Sequence, residues 1–214
     1  MGAPSLDRLA GPSATAVGLG GLLYGLLFAW IVAGPPGWVP EVWFALLILG
    51  AVTSVPVGVA LYQRLRKTDE GLALTALLLG LGGAFGGAVH GAFNLASQVN
   101  PASVGTGGSP DPGGIFRYAV AGIALMLVGW LVMAGRTLPA RWGQLALASG
   151  AILVFIYVGR LYDFITPDER ATLIPPFLYG LVLHPALYLW LGRLLRPRAP
   201  VPPVTEPASA EMAA

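Results

Sequence analysis

Six apolar runs of about twenty residues, separated by short polar or Gly/Pro-rich breaks, set the plan of the chain. They cover 14–33, 42–62, 71–97, 115–134, 142–162 and 173–195. A helix rises ~1.5 Å per residue, so each run can cross a hydrocarbon core ~30 Å thick. The pattern predicts an all-α fold: a polytopic transmembrane bundle of six helices over 14–195. Residues 1–13 form a short polar cytoplasmic N-terminus, and 196–214, rich in Pro and Ala, a disordered cytoplasmic tail. A signal peptide is the competing reading of the first run. Its apolar region would span about 7–15 residues behind a basic start. Here the run is longer and Arg8 is offset by Asp7, which favours a retained helix.

The breaks have local causes. The GPPGWVPE segment after the first run removes backbone donors and relaxes φ. Trp38 and Trp43 beside it suit an interfacial belt. Pro56 interrupts the second run, with Thr53 and Ser54 near enough to bond freed carbonyls. The longest connection, 98–114, is Gly-, Pro- and Ser-rich and reads as irregular. Thr166-Pro167-Asp168-Glu169 has the form of a helix start.

Composition agrees with the pattern. The chain is 56% hydrophobic and 10% charged, with a mean hydropathy of +0.73, whereas soluble domains are about 25% charged. The net charge of +2 does not point to nucleic acid, because the bases sort by loop. Arg8, Arg64, Arg66, Lys67, Arg136, Arg141, Arg193, Arg196 and Arg198 fall on one side, and Arg117, Arg160 and Arg170 on the other. The positive-inside rule makes the first side, with both termini, cytoplasmic. The two halves of the chain have similar span lengths but share no residue-level repeat. There is no cysteine, hence no disulfide and no thiolate metal site. GxxxxGK, HExxH and GxSxG are absent, and no acid lies mid-span. The single lysine, Lys67, lies in a loop, which excludes a retinal Schiff base. No catalytic residue and no metal site is assigned.

Two features remain for binding. In the third run Gly82, Gly83, Gly86, Gly87 and Gly91 recur at four-residue spacing and give a flat face for close helix packing. That face could dock a membrane protein partner or a second copy of the chain. It continues through His90, Asn94 and Ser97. In the sixth run Pro176, Gly180, His184 and Tyr188 form a similar stripe. The only two histidines thus lie at similar depth. They could be unrelated packing residues, line a ligand or proton route, contribute to a metal site, or hold haem b axially through His90 and His184. Arg160, three residues before Asp163, is either an interfacial ion-pair residue or a gate, and Gln98, Asn100 and Arg117 could join its rim. The leading expectation is a protein that binds a small or lipid-like ligand in an outward-facing cavity lined by His90, Asn94, Arg160 and His184. The alternatives are a haem- or quinone-associated electron-transfer subunit, or an accessory subunit of a larger membrane complex.

The stretch ALYQRLRKTDEGLALTALLLGLGGA, a span end, a basic loop and a small-residue helix, resembles the corresponding region of bacterial six-helix membrane proteins grouped only as a domain of unknown function. The ALYLWLGRLL ending is similar in style. The resemblance implies a multi-pass protein of a bacterial inner (plasma) membrane and assigns no activity.

Overall fold

The structure is a computed structural model and describes residues 5–34, 36–100, 114–162 and 173–196. The expected helix start at Thr166, Arg170, Asp163 and the tail from 197 onward lie outside the described residues. Six helices long and apolar enough to cross a membrane follow one another: α1 (Ser5–Val32), α2 (Trp38–Leu65), α3 (Glu70–Val99), α4 (Phe116–Gly135), α5 (Ala140–Leu161) and α6 (Ile174–Leu194). "Upper" below denotes the end where α1 hands over to α2.

Helix ends follow local chemistry. After α1, Gly34 takes φ +93°, a left-handed conformation that suits glycine and stops the helix. Asp69 caps α3 by accepting a bond from Leu72 N–H at 2.9 Å. α1 begins at Ser5, well before the apolar run at 14, and continues through Pro12. Packing explains the difference. Ala10 and Ala14 are buried in the core with Leu191 and Leu195, so tertiary contact holds turns that local composition would leave open.

α2 is unbroken across Pro56. The carbonyl that Pro56 deprives of a donor is that of Val52. The neighbouring hydroxyls go elsewhere: Thr53 Oγ1 donates to Leu49 O (2.8 Å) and Gly50 O (3.1 Å), and Ser54 Oγ to Ala51 O (2.7 Å).

α6 is α-helical over Ile174–Leu178, π-helical over Tyr179–Leu183 and α-helical again over His184–Leu194. Pro185 offers no N–H to the turn before it, and His184 N–H bonds back to Tyr179 O, widening that turn. Pro175 and Pro176 occupy the first turn, where no intrahelical donor is needed.

Each helix packs on its sequence neighbours, and α6 returns to α1, so the six close into a ring. The α5–α6 seam is the thinnest. The tightest are made by glycines seven apart. A Cβ on Gly122 would lie 2.8 Å from Gly150 O, and one on Gly129 2.6 Å from Gly143 O, so α4 and α5 touch backbone to backbone. α1 meets α6 in the same way: a Cβ on Gly25 would lie 2.9 Å from Gly180 O, and one on Gly11 3.3 Å from Gly192 O.

A hydrophobic core packs the lower half of the ring, with Ala60, Val132, Trp142, Leu187 and Leu191 buried in it. Trp142 is fully buried and its Nε1 donates to Leu187 O at 3.1 Å, tying α5 to α6.

Candidate functional site

The ring interior is not filled throughout. A cavity of about 610 Å³ runs between the helices, with wall residues from all six. Its volume falls within the ~300–1,000 Å³ typical of ligand sites. Small residues leave the room: Gly20 and Gly50 line it, and a Cβ on either would meet nothing within 4 Å.

The cavity is polar at one end. Tyr24 from α1, Trp43 from α2, Arg117 and Tyr118 from α4, and Tyr179 and His184 from α6 line its upper part. Toward the lower ends of α2 and α3 the wall is Leu61, Tyr62, Leu65, Ala73, Ala76 and Leu77, apolar but for the Tyr62 hydroxyl. Of the wall residues, Ala16 and Leu49 are exposed. They sit near the middle of α1 and α2, where the cavity wall reaches the outer surface of the bundle.

Arg117 dominates the polar end. It is the second residue of α4 and only 9% exposed. Its Nη2 donates to Tyr118 Oη at 2.8 Å and to Tyr24 Oη at 3.3 Å, and the guanidinium carbon lies 4.7 Å from the Tyr118 ring centroid. Gly87 on α3 faces it: a Cβ there would lie 3.9 Å from Arg117 Cδ and Nη1. Gly87 is twelve residues before the end of α3 at Val99, so the guanidinium sits ~18 Å below that end along the helix. A buried cation is normally offset by a partner charge. Among the described residues its bonding partners are two neutral phenols, and no wall residue is acidic.

Three buried donor or acceptor nitrogens of cavity-lining residues, Arg117 Nε, Trp43 Nε1 and His184 Nδ1, have no hydrogen-bond partner among the described residues. Buried polar atoms are rarely left so. Trp43 is held by stacking on Tyr24, with centroids 4.7 Å apart, and next to Phe28 at 5.8 Å. The His184 ring lies 4.7 Å from Tyr188 and 5.6 Å from Tyr179. It also stands over Gly21, where an added Cβ would run into the imidazole.

The residues singled out from sequence separate. Pro176, Gly180, His184 and Tyr188 all line the cavity, as their shared stripe implies. His90, Asn94 and Arg160 are not on its wall. His90 faces Phe44 of α2, with centroids 5.8 Å apart. Asn94 Nδ2 donates to His90 O at 2.8 Å and lies 3.1 Å from His90 Nδ1. Arg160 is exposed at the upper end of α5. α3 packs on α2 and α4, whereas α6 packs on α1 and α5, so the two histidines have different surroundings. No group of three or more His, Asp or Glu side chains gathers among the described residues.

The glycines of α3 divide as well. Gly83, Gly87 and Gly91 are buried, but a Cβ on Gly82 would meet nothing within 4 Å. Gly86 is partly exposed. Trp43, expected in an interfacial belt, turns inward, while Trp38 is exposed and meets Trp30 edge to face at 5.8 Å. Tyr24 and Tyr118 carried no sequence signal beyond their aromaticity. No protein-family model, curated protein or solved structure matches the chain.

Proposed function

We propose that this multi-pass membrane protein binds a lipid-like molecule in the cavity inside its helix ring. The observation that carries the proposal is the cavity of about 610 Å³ with walls from all six helices, polar at one end and aliphatic at the other. A mouth beside Ala16 and Leu49 would admit a ligand from the bilayer rather than from water. The reading differs from the sequence expectation in its walls: His184 is kept, and Tyr24, Trp43 and Arg117 replace His90, Asn94 and Arg160. The proposed setting is a bacterial inner membrane with both termini cytoplasmic, because Arg64, Arg66, Lys67, Arg136, Arg141, Arg193 and Arg196 all fall at the lower end.

Solvent extraction of the purified protein, followed by mass spectrometry, tests the proposal. A defined lipid-like molecule retained by the wild type and by Gly82→Phe, but lost from Gly50→Phe, supports it. Gly50 lines the cavity and Gly82 does not, so equal retention by both variants sinks it.

A further inference from the structure

We infer that the ligand of this cavity is an anionic amphiphile whose head group is bound by Arg117 and whose chain lies along the aliphatic wall. The inference rests on the cavity-binding reading above and adds the charge and position of the head group.

Arg117 is buried, and its described partners are the hydroxyls of Tyr24 and Tyr118, which hydrate the cation but do not neutralise it. A guanidinium presents its donors as a planar fork, which fits a carboxylate or a phosphate ester. A ligand oxyanion set against the Arg117 guanidinium would supply the negative charge that the described wall residues do not.

The rest of the cavity selects for a chain. From Arg117 the wall passes along Ala121 and Leu153 to Leu61 and Leu65, and opens beside Ala16 and Leu49. A free inorganic anion would leave that surface unfilled. A neutral lipid would fill it and leave the cation without a counter-charge among the described residues. Only an ion with a hydrocarbon chain meets both conditions.

A head-group series at constant chain tests this without any variant. The full-length protein in phosphatidylcholine nanodiscs is loaded with equal mole fractions of oleic acid, oleyl phosphate or oleyl alcohol, and its thermal midpoint is measured. The acid or the phosphate is expected to raise the midpoint by at least ~2 °C relative to the alcohol. A shift with oleate alone identifies a carboxylate, and one with oleyl phosphate alone a phosphate ester. In folded Arg117→Gln the advantage of the anions over the alcohol should vanish. Gly50→Phe should abolish every shift, which separates cavity binding from a change in bilayer charge. If acid, phosphate and alcohol shift the wild type equally, and Gly50→Phe removes all three shifts, the cavity reading stands and the anion inference falls. No shift with any of them also overturns it. So does an anion shift that survives in folded Arg117→Gln.

Discussion

Gly82 and Gly83 are adjacent in α3, belong to the same glycine run, and should respond oppositely to a methyl group. A Cβ on Gly82 meets nothing within 4 Å. A Cβ on Gly83 would lie 2.8 Å from Ala121 Cβ, 3.1 Å from Ala121 N and 3.2 Å from Ala121 Cα. Two of those three atoms are backbone, so no side chain can rotate away, and α3 and α4 must separate. Overpacking of this kind costs ~1–3 kcal/mol. Replacing a mid-helix glycine by alanine returns ~0.5–1 kcal/mol at either site. The propensity gain cancels in the comparison, leaving Gly83→Ala less stable than Gly82→Ala by ~1–3 kcal/mol. Gly82→Ala itself should equal or exceed the wild type. Equilibrium unfolding of both variants in one detergent, titrated with SDS and followed by helical circular dichroism, measures the difference. Equal stabilities, or a more stable Gly83→Ala, would refute the close approach of α3 to α4.

Further outcomes follow from other contacts. Trp142→Phe removes the donor to Leu187 O and leaves a small cavity at a fully buried site, and should cost ~2–3 kcal/mol in the same assay. Asp69→Ala removes the cap on Leu72 N–H and should cost about as much, whereas Asp69→Asn should cost less. The chain has no cysteine, so single cysteines report topology without background. In intact cells an impermeant thiol reagent should label Gly37→Cys, in the exposed α1–α2 turn, and spare Lys67→Cys until the membrane is opened. The reverse pattern would invert the proposed orientation.

Span number and helix class were legible because each span carries its own signal: length, apolarity and a break of Gly, Pro or charge. The lower end of α1 was not, because its reason to be helical is the surface of α6, far away in sequence. The glycine face of α3 was visible, but spacing alone makes Gly82 and Gly83 equivalent; only the direction of the neighbouring helix distinguishes them. Regular signals in Gly11, Gly18 and Gly25, and in Gly122, Gly129, Gly143 and Gly150, mark the tightest seams and can be read as a seven-residue period.

The site was legible in part. His184 lines the cavity because its stripe, Pro176 to Tyr188, faces the ring interior. His90 shares its depth but not its surroundings, since depth along a helix says nothing of azimuth relative to a distant partner. Arg117 reads from sequence as a rim residue because it starts α4. It is buried because α4 is short beside α3, so its first turn lies against Gly87, well below the end of its neighbour.

The account turns on whether something occupies the cavity. A density map of the protein in nanodiscs of its native lipids tests that most directly. The account predicts elongated density inside the helix ring, with its head in contact with Arg117 and its tail reaching toward Leu49. A cavity empty of elongated density, or closed by inward movement of α1 on α2, would contradict it.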